Sequence, residues 1–336
     1  MARKLDATPQ KLLSIIIVSY NTKDILRNCL NYVRKFAQDF SHEVYVVDND
    51  SHDYSADMVE KEFPEVHLIR SPKNLGFAAG NNLALRKCVG RYLLLLNSDA
   101  YLYEDTLPKT LKYMDENPKT GILGVKLVGD DGLMQPSARM LPSPWLKFLV
   151  ITGIASKNPN SERFGGPDFT WWDHSEPKNV GWVPGAYFLV RKEVTERIGF
   201  LDERYFLYFE EIDFCLRTKR AGWEVTFYPY TKCIHLGGQS SAKSSELTQK
   251  AMTSGGKQLL HLRIKNELRY YRKNHGFMPM IKSAFVEIFW KSMIYLKNSI
   301  RRKGEESRVK REEAKLVIGT FLACLKEDKY GTVTTN

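Results

Sequence analysis

The feature that most constrains this fold is an apolar run that ends in a short polar cluster. Residues 93–96 are four leucines, and Asn97, Ser98 and Asp99 follow them directly. A run of strand length that is apolar throughout is typical of a strand buried on both faces of a sheet. In open α/β sheets, ligands bind at the carboxyl ends of such strands. The sequence therefore predicts a binding edge at Asp99.

The same design occurs twice upstream. The apolar residues 15–18 lead into the polar segment 19–21, and the apolar residues 44–47 lead into the polar segment 48–51. Polar residues that follow parallel strands meet at one edge of the sheet. Three buried strands of this kind predict a nucleotide-binding half-domain.

Strands alternate with helices over the first 130 residues. This alternation predicts an α/β fold whose strands pair in parallel through crossover helices. Between about 130 and 180 the pattern loosens into a segment rich in Pro and Gly, which predicts a long loop. The predicted strands are 14–19, 43–48, 66–69, 92–96, 182–191 and 224–228, and the predicted helices are about 22–37, 54–62, 78–88, 104–116 and 210–221.

Composition excludes a disordered chain, because 43% hydrophobic and 12% aromatic residues supply a core. The five cysteines are scattered with no Cys-x-x-Cys pair, so we expect reduced thiols, as in a cytoplasmic protein. The first ten residues lack the apolar core of a signal peptide, and no stretch approaches the roughly 20 apolar residues of a membrane span. These features predict a cytoplasmic location.

The positive charge is concentrated at one end of the chain. Residues 241–336 hold 20 Lys and Arg against 9 Asp and Glu, which accounts for the whole formal charge of +11. This change in charge balance predicts a boundary near residue 240. It separates a catalytic-type domain over 1–240 from a basic, mainly helical region over 241–336. Such a region suits an anionic partner, either nucleic acid or an acidic membrane surface. Nucleic acid is disfavoured, because no zinc, RNP or helix-turn-helix pattern is present.

Residues 277–303 carry apolar side chains at roughly helical spacing, together with cations that end in Arg301, Arg302 and Lys303. One interpretation is a peripheral helix at the inner face of the plasma membrane. The other is a helix packed on the rest of the protein, which Glu287 favours because it lies among the apolar positions. The apolar positions are Met280, Ile281, Ala284, Phe285, Ile288, Phe289, Met293 and Leu296.

A glycine-rich segment over 74–82 resembles a phosphate-binding loop in composition. It lacks both the Gly-x-Gly-x-x-Gly of dinucleotide sites and the Gly-Lys-Ser/Thr of P-loops, so neither a dehydrogenase nor a kinase follows from it. Its asparagine amides suit ribose and sugar hydroxyls. An ordinary turn from loop to helix remains the alternative.

Two further positions carry groups suited to catalysis. Glu210, Glu211 and Asp213 begin a predicted helix, where negative charge is favoured by the helix dipole and where a carboxylate can also serve as general base. His235 follows a predicted strand and precedes two glycines, so it is either a structural histidine or a metal ligand beside Asp99.

Together and in this order, these motifs resemble the inverting family 2 glycosyltransferases with the GT-A fold, and most of all their non-processive, rhamnosyltransferase-like members. The resemblance covers roughly residues 12–275. It implies a Rossmann-like nucleotide-sugar-binding sheet with helices on both faces, a nucleotide-binding half over about 12–130 and an acceptor-side half over about 131–240. The motifs are Ser14–Asn21, Val46–Ser51, Asn74–Asn82, Leu94–Ala100, Gly185–Arg191, Phe209–Arg217 and His235–Gly238.

The resemblance also implies roles for individual residues. Asp99, at the end of the family's Asp-x-Asp, would meet Mg²⁺ or Mn²⁺ with His235, although the first acid of that motif is Asn97 here. Glu211 stands where the family has its catalytic Asp, so it is expected to be the base, with Asp213 or Glu210 as the fallback. The implied contacts to the nucleotide-sugar are Tyr20, Asn21, Asp48, Asn74, Gly76, Phe77, Asn82, Asn97, Asp99, Gly185 and Ala186.

The implied reaction moves one sugar from dTDP-rhamnose or a UDP-sugar to a hydroxyl of a glycan or polyprenyl-linked acceptor in bacterial surface polysaccharide synthesis. Three alternatives stay open. A nucleotidylyltransferase would need a basic glycine-rich loop after the first strand, which segment 19–22 is not. A catalytically inactive scaffold would explain Asn97 and Glu211, and a nucleic-acid-binding protein would use the basic tail.

Overall fold

The computed structural model describes residues 12–237, 254–300 and 304–328. The chain divides into two compact units. Within the described residues, unit 1 contains 12–139, 174–206 and 210–237, and unit 2 contains 140–173, 207–209 and the C-terminal helices. The boundary predicted near residue 240 lies outside the described residues.

Unit 1 is built on a nine-stranded sheet whose main path has the order β3-β2-β1-β4-β8-β6-β9-β5, while β7 pairs with β9 alone. The predicted α/β class is therefore confirmed. The strands are β1 (Leu13–Ser19), β2 (His42–Asp48), β3 (His67–Arg70), β4 (Tyr92–Leu96), β5 (Ala100–Leu102), β6 (Thr120–Val128), β7 (Lys178–Asn179), β8 (Tyr187–Arg191) and β9 (Glu224–His235).

The first four strands of the path form the parallel half of the sheet. Strand β1 pairs in parallel with both β2 and β4, and Ser19 aligns with Asp48 at the carboxyl end. Side chains such as Ile15, Val46 and Leu94 are fully buried, as expected of strands covered on both faces. The predicted strands in this half lie within one residue of the observed bounds.

The second half of the sheet departs from the sequence prediction. Strand β8 is antiparallel to β4 and β6, whereas β6 and β9 run parallel. The sequence analysis predicts no strand over Thr120–Val128, which contains two glycines. A Cβ at Gly124 would lie 2.6 Å from the Cβ of Val183, so this glycine allows a close approach and does not mark a loop.

The helices of unit 1 follow the predicted alternation. Helix α1 begins and ends one residue inside its predicted range, and α3 begins two residues earlier than predicted. The unit contains α1 (Lys23–Phe36), α2 (Ser55–Glu62), α3 (Gly76–Leu85), α4 (Thr106–Glu116), α7 (Lys192–Ile198) and α8 (Glu210–Arg220).

Unit 2 is helical. The predicted loop over 130–180 contains α5, which belongs to this unit because Lys147 forms buried ion pairs with Glu267 at 2.7 Å and Glu287 at 3.1 Å. The helices are α5 (Pro144–Ile151), α6 (Ile154–Lys157), α9 (Ser254–His275), α10 (Phe277–Ile300) and α11 (Glu305–Asp328). In the described part of the chain, no helix is both long and apolar enough to cross a membrane.

Candidate active site

The carboxyl ends of β1, β2 and β4 are cross-linked by side chains. The hydroxyl of Thr22 donates to Ser98 Oγ at 3.2 Å, which joins the segments after β1 and β4. Asn21 lies in the left-handed region at φ 52°, and its backbone N–H donates to Ser51 Oγ at 3.0 Å. The three polar segments predicted from the sequence therefore lie together at one edge.

Asp48 supplies a buried acceptor at this edge. Its Oδ2 accepts from the backbone N–H of Ser51 at 3.2 Å. Its Oδ1 is buried and has no hydrogen-bond partner among the described residues. A buried carboxylate oxygen without a donor costs free energy, so this atom is suited to accept a hydrogen bond from a ligand.

The loop that leads into α3 is shaped by two asparagine amides. Asn49 Nδ2 donates to Asn74 Oδ1 at 2.9 Å, and Asn49 Oδ1 accepts from the N–H of Leu75 at 2.9 Å. Asn74 Oδ1 also accepts from the N–H of Gly76 at 2.9 Å. The amide of Asn74 thus holds the loop in shape, and Asn49, which the sequence analysis does not assign to the site, anchors it.

Gly76 and Phe77 dock this loop onto the chain just before the acidic motif. Gly76 has φ +79°, and a Cβ there would lie 2.2 Å from the carbonyl oxygen of Phe206. The N–H of Phe77 donates to the same carbonyl at 2.8 Å. The Phe77 ring would lie 3.3 Å from a Cβ at Gly185. Gly76 is therefore required for this close packing, whereas a side chain at Gly185 would press on the Phe77 ring.

Four other predicted binding residues differ in their surroundings. Asn82 is buried, and its Nδ2 donates to the carbonyl of Leu201 and to Glu203 Oε1, both at 2.9 Å, so the amide fixes the segment that follows α7. Tyr20 is 46% exposed and open to solvent. The N–H of Asn97 donates to the carbonyl of Ala186 at 3.1 Å, which brings those two predicted positions together.

Asp99 and His235 lie side by side. The Oδ1 of Asp99 is 3.5 Å from Nε2 of His235, and both side chains are largely buried. They meet because β5, which begins at Ala100, pairs in antiparallel register with the end of β9. No cluster of three or more His, Cys, Asp or Glu side chains that could hold a metal ion occurs within the described residues. Asp99 and His235 are side chains of the types that ligate divalent metals.

Gln135 sets the orientation of the His235 ring. Its Nε2 donates to the carbonyl oxygen of His235 at 2.9 Å, and its Oε1 lies 2.8 Å from His235 Nδ1. Since the amide oxygen can only accept, the ring proton belongs on Nδ1, and the lone pair of Nε2 faces the carboxylate of Asp99. Two acceptors that face each other are stabilised by a cation between them, so this donor set fits a divalent metal.

The acidic motif begins α8 after a strained turn. Tyr208 and Phe209 have φ of 70° and 76°, which is uncommon for residues other than glycine. Glu210 is buried and Glu211 is half-buried, and the Oε2 of each has no hydrogen-bond partner in the described structure. Backbone strain and unpaired buried carboxylates together are typical of a functional site.

The two glutamates differ in their electrostatic surroundings. Burial raises the pKa of Glu210 well above its usual value, and the charge of Glu211 raises it further. Burial also raises the pKa of Glu211, whereas the nearby charge of Arg139 lowers it. Burial and the charge of Glu211 therefore favour the protonated form of Glu210, whereas Arg139 favours the charged form of Glu211.

Asp213 is paired with a cation. It is fully buried, and its Oδ2 accepts from Arg217 Nε at 2.9 Å. Arg217 also donates to the carbonyls of Ile198 at 2.9 Å and Phe200 at 2.6 Å. The carboxylate of Asp213 therefore helps to fix α8 against the end of α7.

Comparisons with known proteins identify the family of this chain. The family model described as glycosyl transferase family 2 matches residues 14–199, more than half of the chain. The chain belongs to glycosyl transferase family 2. The resemblance seen in the sequence and the predicted class of enzyme are both confirmed.

Two curated relatives of this glycosyltransferase are named as rhamnosyltransferases. It is 26% identical over 246 residues to the N-acetylglucosaminyl-diphospho-decaprenol L-rhamnosyltransferase of Mycobacterium tuberculosis, a match that spans 69% of this chain and 78% of the relative. It is 25% identical over 231 residues to rhamnosyltransferase WbbL of Escherichia coli, a match that spans 67% and 83% of the two chains.

A solved structure supports the fold of this glycosyltransferase. The mannosyltransferase PcManGT from Pyrobaculum calidifontis, in complex with GDP-Man and Mn²⁺, superposes with a TM-score of 0.55 at 15% identity and covers 96% of this chain and 89% of its own. The predicted GT-A-type architecture with a helical C-terminal region is thereby confirmed.

Proposed function

We propose that this glycosyltransferase moves one sugar from a nucleotide-diphosphate sugar to a hydroxyl of a glycan or lipid-linked acceptor, with inversion at the anomeric carbon. The observation that carries the proposal is the pairing of Asp99 with His235 at the edge where Asp48 presents an unpartnered carboxylate oxygen. A metal-binding pair beside an acceptor for ribose or base is the arrangement that a nucleoside diphosphate needs.

The donor is proposed to bind across the carboxyl ends of β1, β2 and β4. Asp48 would accept from the ribose or the base, and Tyr20 and Asn21 would contact the nucleotide. Two relatives are named as rhamnosyltransferases, which favours dTDP-rhamnose, with UDP-sugars as the other candidates. The loop at Gly76 and Phe77, together with Gly185 and Ala186, would border the sugar. Asn82 would act through the segment that its amide holds.

Asp99 and His235 would hold Mg²⁺ or Mn²⁺ together with oxygens of the donor diphosphate. When bound, the metal neutralises the charge that develops on the departing nucleoside diphosphate. Within the protein, the Gln135 amide keeps His235 Nε2 directed at Asp99, and the burial of both side chains limits competing water.

Glu211 is the proposed general base. Its carboxylate takes the proton from the acceptor hydroxyl as the acceptor oxygen bonds to the anomeric carbon and the bond to the diphosphate breaks. Arg139 favours the charged form of Glu211, and the raised pKa of Glu210 favours its protonated form, which avoids a second charge nearby. Asp213 would position α8 through Arg217.

The acceptor is proposed to be polyprenyl-diphosphate-linked, because the relative from Mycobacterium tuberculosis is named for an acceptor of that kind. Such an acceptor lies at a membrane surface, so the enzyme would act as a peripheral protein on the cytoplasmic side. The basic C-terminal region suits an anionic surface.

The test is thermal unfolding of the purified enzyme with dTDP, UDP, GDP and their sugars, with Mn²⁺ and again with chelator. A ligand at about 100 times its Kd adds about 2.7 kcal/mol to the free energy of unfolding. We expect a metal-dependent shift for one nucleotide class that Asp99→Ala abolishes and Asp130→Ala, at an exposed acidic position, leaves intact. An intact fold with no shift for any nucleotide would overturn the proposal.

A further inference from the structure

Helix α10 has two apolar faces with different environments. Its inner face is buried in unit 2 and includes Met280 and Ala284, with the carboxylate of Glu287 as a polar exception. Its outer face is exposed to solvent, although the residues there are large and apolar. We name this face the outer stripe, and its apolar members are Met278, Phe285, Phe289, Met293, Leu296 and Ile300.

The outer stripe is continuous. From Phe285 onward its members are separated by four, four, three and four residues, a spacing that places them in one line along a helix. Their exposure ranges from 48% for Met293 to 83% for Ile300. The rings of Phe285 and Phe289 stack with centroids 5.7 Å apart. Single exposed apolar residues are ordinary on protein surfaces, but a contiguous row marks an interaction surface.

Two charged side chains of α10 are paired within unit 2 and two are exposed, and of the paired ones Lys291 lies 2.8 Å from Glu313 of α11. Its sole carboxylate, Glu287, is buried and paired with Lys147 at 3.1 Å. Lys282 and Lys297 are exposed. Lys282 is three residues before Phe285 and four after Met278, so it lies within the outer stripe. The outer face thus presents cations and apolar groups without a carboxylate of its own helix, which complements anionic lipid headgroups above an apolar layer.

We propose that the outer stripe is the surface by which this enzyme docks on an anionic lipid bilayer, with α10 lying in the plane of the membrane. The phenylalanines and methionines enter the boundary between headgroups and acyl chains, and the two lysines contact lipid phosphates. Helix α10 has 24 residues and is about 36 Å long, so the stripe can contact many lipids at once. This inference rests on the proposed function only in that docking brings the enzyme to a lipid-linked acceptor.

The test is flotation of the full-length protein with vesicles of phosphatidylcholine alone and of phosphatidylcholine mixed with phosphatidylglycerol. We expect binding to the mixed vesicles that weakens as salt is raised. The variant Phe285→Ser/Phe289→Ser should lower the partition coefficient at least about tenfold, because two large apolar groups no longer enter the lipid. The variant Lys282→Gln/Lys297→Gln should lower it about fivefold for each lysine, and only for anionic vesicles.

Two controls keep the result specific. Leu322→Ser removes an apolar side chain of α11 that is 49% exposed but lies outside the outer stripe, and it should bind vesicles as the wild type does. All variants replace exposed residues, so their melting temperatures and nucleotide-dependent thermal shifts should match those of the wild type. The shifts report on the donor site, so they separate a failure of docking from a failure of the proposed function.

Two outcomes would overturn the docking proposal. One is that the wild-type protein does not bind anionic vesicles at low salt. The other is that Phe285→Ser/Phe289→Ser and Lys282→Gln/Lys297→Gln both bind vesicles as strongly as the wild type does. If sedimentation velocity showed a dimer that Phe285→Ser/Phe289→Ser dissociates, with no vesicle binding, the stripe would be an interface between two copies of the chain.

Discussion

The backbone N–H of Phe77 donates to the carbonyl oxygen of Phe206 at 2.8 Å. This bond fastens the loop after β3 to the segment that precedes the acidic motif. Both partners are backbone atoms, so the contact depends on how closely the two chain segments approach. Gly76 permits that approach, since any side chain there would collide with the carbonyl of Phe206.

Gly76→Ala should therefore lower both stability and nucleotide binding. We expect a loss of about 1–3 kcal/mol in the free energy of unfolding, because the added Cβ meets backbone and the residue keeps a positive φ. Gly132→Ala is the matched control, since Gly132 has φ +76° and a Cβ added there would have no neighbour within 4 Å. Both variants place Ala at a positive φ, but only Gly76→Ala also brings a Cβ against the Phe206 carbonyl. Chemical denaturation measures the free energy of unfolding of each variant. Equal losses in the two variants would contradict this role for Gly76.

Gln135→Leu should weaken metal binding, because the ring of His235 loses the acceptor that holds its proton on Nδ1. The expected increase in the Kd for Mn²⁺ in the presence of the donor nucleotide is about 10–100-fold, measured by electron paramagnetic resonance. Gln135→Glu keeps an acceptor for Nδ1 and should retain most of the affinity. Nitrogen NMR of His235 without metal should show the Nδ1–H tautomer in the wild type and a mixture in Gln135→Leu.

The strands and the binding edge could be predicted because their signals are local. Asp48 and Asp99 follow apolar runs, and such runs lead to the carboxyl edge of a parallel sheet. Gln135 could not be predicted from local pattern. It reaches His235 because the chain turns back after β6 and β6 pairs with β9, so the contact depends on the long-range register of the sheet. The structural roles of the Asn74 and Asn82 amides could not be predicted either, because the sequence shows that an amide is present but not which group it contacts.

Glu211→Gln should reduce kcat by about 10²–10⁴-fold with little change in stability, since the base is lost and the shape is kept. The base must be ionised, so activity should fall as pH drops through a pKa that burial raises above the usual glutamate value. Arg139→Gln removes a charge that lowers this pKa, so the acidic limb of the pH–kcat profile should move to higher pH. A limb that stays in place in Arg139→Gln would exclude Glu211 as the titrating base.

Glu210 should make stability depend on pH. Its pKa in the folded state is raised above the unfolded value, so it contributes stability at low pH that is lost as pH rises through the folded pKa. Glu210→Gln has no proton to lose, so it should melt at a higher temperature than the wild type at alkaline pH, and the difference should shrink toward pH 4. Calorimetry across pH 4–9 measures this, and parallel curves would show that Glu210 carries no buried proton.

Asp213→Asn distinguishes a structural carboxylate from a catalytic one. Asp213 is fully buried against Arg217, so its neutral replacement leaves that guanidinium with a weaker partner. The expected loss is about 3 kcal/mol in the free energy of unfolding, near the lower end for breaking a buried ion pair. At a temperature where the variant is folded, its pH–kcat profile should keep the acidic limb of the wild type, because Glu211 still titrates. If Asp213→Asn were stable but its pH–kcat profile lacked the acidic limb, Asp213 would be the base. Glu211 would then act only by shifting the pKa of Asp213.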